Sequence, residues 1–86
     1  MKHAGSSALH ALEKLLAPLR QLPGLVERKP GIFYVKSQAY LHFHEDAAGL
    51  FADVRLTGNA FERYRVSTQP EQAELLKVVT ANRAAS

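Results

Sequence analysis

Eighty-six residues make one small domain, and a chain of that length buries roughly 60–65% of its unfolded surface, enough for a thin core. The composition is 47% hydrophobic and 22% charged with no cysteine, which excludes disulfides, thiolate metal sites and thiol nucleophiles. Eleven basic residues against eight acidic ones give a formal charge of +3, a mild excess that permits attraction to nucleic acid or anionic ligands and requires neither.

The opening MKHAGSSALHALEKLL lacks the unbroken apolar stretch of a secretory signal. No run approaches the roughly 18 apolar residues of a membrane span. The expectation is a soluble, cytoplasmic chain forming a single domain over residues 1–86, with a loose tail over 1–6 and a frayed end over 82–86. Ser6 or Ser7 is placed to N-cap a helix that begins near Ala8. Leu9, Leu12, Leu16 and Leu19 recur at helical spacing as one apolar stripe, with Leu15 beside it. Pro18 cannot donate to the carbonyl of Lys14, so a kink or restart is predicted there. Leu22-Pro23-Gly24 ends the helix, and residues 25–31 read as a connector with a turn at Pro30-Gly31.

A β-rich half follows. Residues 32–36, 39–45, 50–56 and 61–67 carry strand-like residues with partial alternation, joined by short links. Short links imply an antiparallel meander. Thr68-x-x-Glu71 is a capping box that starts a second helix, with Pro70 tolerated in its first turn and Leu75, Leu76 and Val79 on its buried side. The predicted fold is α+β: a two-layer sandwich in the order α-β-β-β-β-α, its four-stranded antiparallel sheet covered by both helices on one face and open on the other.

Alternation along a strand separates the two faces. Leu41 and Phe43 point inward with Ala39, and so do Leu50, Ala52, Val54 and Leu56. Apolar must meet apolar, so Leu41 is predicted to oppose Val54, and Phe43 to oppose Ala52. The outer pairs are then Tyr40 with Arg55, His42 with Asp53, and His44 with Phe51. Placing Tyr64 and Val66 inside puts Arg65 across from Asp53 and Arg63 across from Arg55. The facing of the first strand stays open; with Phe33 and Val35 inward, Tyr34 and Lys36 join the outer face. The candidate surface is therefore Tyr34, Lys36, Tyr40, His42, His44, Phe51, Asp53, Arg55, Arg63 and Arg65: basic and aromatic, with one acid near its middle.

Three chemistries compete for this face. His42 and His44 lie on one side of a strand about 7 Å apart and offer two imidazoles to a metal. Asp53 is the well-placed third ligand, whereas His3 and His10 sit in the tail and first helix with no local reason to converge. No metal and no cofactor are expected on this count. An Asp53–His42 pair has the makings of a general base, but the chain shows no nucleophile elbow, no phosphate-binding Gly-rich loop and no paired carboxylates at strand ends. An open sheet with aromatic rings among Arg and Lys suits single-stranded nucleic acid or another anion, and also suits burial against a second copy of the chain. The preferred expectation is a small non-enzymatic interaction module whose open face forms a homodimer. Nucleic-acid or anionic-ligand binding on the same face comes second, and an enzyme using His42 and Asp53 third; no membrane partner is expected.

The segment LPGLVERKPGIFYVKSQAYLHFH resembles the start of the MmcQ/YjbR-like small bacterial proteins. It shares an LPG plus an acid after the first helix, then a strand, a Lys turn and an aromatic second strand. The matching residues are Leu22, Pro23, Gly24, Glu27, Phe33, Val35, Lys36 and Tyr40. The resemblance covers about a quarter of the chain. It implies a compact α+β fold and a DNA-binding role, and brings no catalytic residues.

Overall fold

Residues 2–85 are described by a computed structural model, in which three helices and a predominantly meandering antiparallel sheet make an α+β fold. In chain order the elements are β1 (Lys2–His3), α1 (Ser6–Ala11), α2 (Glu13–Leu19), β2 (Leu25–Lys29), β3 (Ile32–Val35), β4 (Gln38–Asp46), β5 (Gly49–Thr57), β6 (Ala60–Arg65) and α3 (Gln69–Ala84). Strands β2 to β6 lie side by side in sequence order, and β1 pairs with the part of β4 that β3 leaves uncovered.

Alternating apolar residues place the core. Leu12, Leu15, Leu16 and Leu19 of the broken first helix, with Leu75 and Val79 of α3, meet Phe33, Leu41, Phe43, Ala52, Val54 and Val66 in one cluster, none more than 2% exposed. Phe33 is fully buried and Val35 packs against the same cluster, which fixes the facing of β3. The Thr68–Glu71 capping box forms, with Pro70 in the first turn of α3. It satisfies donors at the helix start that would otherwise lack partners. No helix of the described residues is long and apolar enough to cross a membrane.

The sheet is larger than the four strands predicted, because residues 25–29 form β2 where a connector was expected. Leu25 alone of this stretch is buried while Val26 is 53% exposed. An edge strand with one wet side needs little apolar alternation, so charged Glu27-Arg28-Lys29 concealed it. Pro30-Gly31 makes the turn, with Gly31 at φ +76° and its N–H donating to Glu27 Oε2 at 2.9 Å. The first helix breaks at Leu12 and not at Pro18, which sits inside the last turn of α2. Gly5, not a serine, occupies the N-cap of α1, and its N–H donates to the Glu45 carboxylate. Residues 2–3, expected in a loose tail, pair in register with β4 as Lys2↔Glu45 and His3↔His44. At the other end α3 runs to Ala84, and Asn82, placed in the frayed end, donates to Leu56 O at 2.9 Å. Met1 and Ser86, also within those predicted ends, lie outside the described residues.

Two pairings position the outer face. The β4–β5 ladder has the predicted register: Leu41↔Val54, His42↔Asp53, Phe43↔Ala52 and His44↔Phe51. The β5–β6 ladder differs by two residues, with Arg63 opposite Asp53 and Arg65 opposite Phe51. A shift of two keeps every side chain on its face, so burial patterning cannot detect it. The hairpin closing at Thr57↔Ala60, with an irregularity between Val54 and Thr57, sets it instead.

Candidate functional site

On the open face, one carboxylate organises the surrounding cations. Asp53 lies between the core residues Ala52 and Val54 yet points away from them, and it is only 8% exposed. A buried carboxylate needs partners. Arg63, across the ladder, supplies a bidentate pair, Nε to Oδ1 at 2.8 Å and Nη2 to Oδ2 at 3.0 Å. The hydrogen bond and charge of Arg63 hold the Asp53 carboxyl below its ordinary range against the opposing effect of burial, with His44 and His42 adding to the depression.

His42 is the backbone partner of Asp53, as expected, but the imidazole that reaches the carboxylate belongs to His44. Its Nε2 lies 3.1 Å from Asp53 Oδ2 and 2.6 Å from His42 Nδ1. The predicted His42–Asp53 pair is thus a chain of three groups, Asp53–His44–His42. The Nδ1 of His44 is buried without a hydrogen-bond partner. Burial, followed by the proximity of His44, pushes the His42 pKa down; Asp53 works in the opposite direction.

A third imidazole completes the group. Because His3 is the β1 partner of His44, their rings stack with centroids 5.3 Å apart, and His3 meets His42 edge-on at 6.0 Å. The three residues each offer a nitrogen, all within 4.8 Å of one another. His3 therefore converges on the site, contrary to the sequence expectation. A two-residue strand carries too little pattern to be read; only its pairing with β4 reveals it.

Of the other predicted face residues, Tyr34 and Arg55 flank the centre. Arg28 lies over the Tyr34 ring at 5.1 Å. Arg55 donates to the Ala39 carbonyl at 3.0 Å and stands 4.6 Å over Phe61. Phe61 also meets His42 edge-on at 4.9 Å. It was missing from the predicted face, although it shares the strand parity of Arg63 and Arg65. Phe51 and Arg65 are paired at one end of the sheet, where Arg65 is largely exposed and 3.8 Å from Glu71.

Two predicted residues leave the face. Phe33 pairs with Leu41 and Tyr34 with Ala39, so Tyr40 is the extra residue of a bulge. Its ring turns inward to 4% exposure and its hydroxyl donates to Asn82 Oδ1 at 2.7 Å, with Arg83 over the ring at 5.2 Å. The predicted Tyr40–Arg55 outer pair is accordingly absent. Lys36 lies in the turn between β3 and β4 at φ +58° rather than on a strand face.

Two clefts border this surface. One, of about 550 Å³, is lined by His3, Arg28, Lys29, Ile32, Tyr34, Ala39 and His42. The other, of about 470 Å³, lies at the β3–β4 turn and includes Lys36, Arg55, Asn82 and Arg83. Neither lining contains a carboxylate. Compared with protein-family models, curated proteins and solved structures, the chain has no match in any of the three.

Proposed function

We propose that this protein is a small non-enzymatic binding module that takes an anionic ligand on its open sheet face. The observation carrying this reading is the cleft of about 550 Å³, which combines Arg28, Lys29, His3 and His42 with the Tyr34 ring and has no acid in its lining. That volume lies in the ordinary range of small-ligand sites. Among the described residues Arg28 and Lys29 make no ion pair, whereas Asp53, the nearby acid, is occupied by Arg63 and His44. A phosphate or carboxylate entering here meets uncompensated positive charge beside an aromatic ring, a combination that favours a phosphorylated, planar ligand. The DNA-binding role implied by the sequence resemblance shares this phosphate chemistry.

The test is an amide NMR titration of labelled protein at low salt, first with a nucleoside monophosphate and then with a short mixed oligonucleotide. Joint movement of the Arg28, Tyr34, Ala39 and His42 signals, with affinity falling as salt rises, supports the reading. Saturation by the mononucleotide alone identifies a small-ligand site, and a response to the oligonucleotide alone identifies a nucleic-acid surface. Silence of these signals to both removes the proposal.

A second reading, self-association through the same face, is favoured by two exposed apolar side chains, Val26 at 53% and Phe61 at 39%. They flank the outer face on opposite edge strands. A rotational correlation time appropriate to twice 9.5 kDa, reduced to the monomer value by Phe61→Glu, is its expected signature.

A further inference from the structure

We propose that His3, His42 and His44 form a binding site for a transition-metal dication such as Zn²⁺. This goes beyond the anion-binding reading and does not depend on it.

The placement follows from backbone pairing. His42 and His44 share one face of β4, and β1 sets His3 directly opposite His44. Two steps along one strand and one step across the ladder bring three imidazoles to a triangle. Their nitrogens lie within 4.8 Å of one another. Ligand bonds of 2.0–2.1 Å in tetrahedral geometry separate bound nitrogens by about 3.3 Å. His42 Nδ1 and His44 Nε2, now 2.6 Å apart, must open slightly, and His3 must close. The closing residue is an exposed one on a two-residue strand, where a rotamer change displaces no core side chain.

His44 Nε2 lies between His42 Nδ1 at 2.6 Å and Asp53 Oδ2 at 3.1 Å. A metal ion bound to the imidazoles would place its charge beside the Asp53 carboxylate. Arg63 would oppose a dication, but its guanidinium is held by both Asp53 oxygens, so the pair together adds no net charge. An all-imidazole donor set suits zinc, copper, iron or nickel rather than calcium or magnesium.

The test uses the full chain, with Zn²⁺ followed by calorimetry and Co²⁺ by its visible ligand-field absorption, and no anionic ligand beyond a non-coordinating buffer. Cu²⁺ is avoided because its position at the top of the affinity series makes it bind imidazoles indiscriminately. The expected result is one Zn²⁺ per chain, a Co²⁺ spectrum of tetrahedral intensity, and movement of the His3, His42 and His44 ring signals. His3→Ala removes an exposed ligand without touching the core and should weaken Zn²⁺ at least tenfold; His42→Gln should do the same. His10→Ala, on the exposed side of α1, should leave the affinity unchanged. Equal Zn²⁺ affinity for the parent and His3→Ala, ring-signal changes confined to His10, or no Zn²⁺ binding at millimolar concentration would each overturn the site. Anion binding is measured separately without metal, so failure of either proposal leaves the other standing on its own result.

Discussion

Tyr40 gains its inward position from one extra residue in β4, and its hydroxyl then ties the sheet to α3 through Asn82. Tyr40→Phe keeps the ring in the core and loses that bond, so it should cost about 1 kcal/mol in urea denaturation. Gly49 is fixed more tightly. It closes the β4–β5 hairpin at φ +133°, and a Cβ there would overlap the Ser67 hydroxyl that holds Leu50 N–H at 2.9 Å. Gly49→Ala should therefore destabilise by more than about 1 kcal/mol, measurable as a lowered denaturation midpoint with an unchanged slope. Glu27 offers a pH signature. Burial raises its pKa, but the Arg20 hydrogen bond, the Gly31 N–H and the Arg20 charge together outweigh this and hold it below the ordinary value. A carboxyl depressed in the folded state contributes stability above its unfolded pKa, and this is lost as pH falls through the folded pKa. Glu27→Gln should thus lower stability at neutral pH and flatten the decline below about pH 4.5; parallel acid limbs for parent and variant would contradict the assignment. These residue-scale features were partly legible. Glycine and turn residues mark the hairpins in the sequence, but the bulge at Tyr40 is a property of two strands together and leaves no local mark.

Among the elements, the meander is the best-read feature and the β5–β6 register the least. Inward Leu41, Phe43, Ala52 and Val54 alternate with polar residues, which fixes the two faces, and the short turn closing at Asp46↔Gly49 fixes which residues of β4 and β5 oppose one another. In β6 and just after it the same logic places Tyr64 and Val66 correctly but cannot choose between Arg63 and Arg65 as the Asp53 partner, because both share one face. A double-mutant cycle distinguishes them: Asp53 and Arg63 should show a coupling energy, and Asp53 and Arg65 none beyond error. Strand β2 leaves little pattern in the sequence because a half-wet edge strand buries a single side chain, Leu25. Leu25→Ala should cost roughly 2–3 kcal/mol if that strand is held as described, whereas exposed Val26→Thr should change stability by less than about 0.5 kcal/mol.

For the molecule as a whole, the distribution of charge matters more than its total of +3. The carboxylates of Asp53, Glu27 and Glu71 are engaged by Arg63, Arg20, and the α3 cap with Arg65. Among the described residues Arg28, which lies over the Tyr34 ring, and Lys29 make no ion pair, and both line a cleft beside the imidazoles. If that cleft receives an anion, the Arg28→Ala/Lys29→Ala double variant should weaken binding about tenfold or more while leaving the denaturation midpoint nearly unchanged. By itself the sequence determined the α+β class, the sheet's covered and open faces, the α3 cap and the membership of His42, His44, Asp53 and Arg63 in one surface. Those features follow from side-chain periodicity and local capping chemistry, which each segment carries alone. The tertiary structure decided that His3 joins the cluster, that His44 and not His42 meets Asp53, that Arg63 and not Arg65 closes the pair, and that Tyr40 turns to α3. Each of these depends on how distant segments pair, and the alternatives keep every residue's hydrophobic pattern intact or, at Tyr40, add a residue the pattern cannot count.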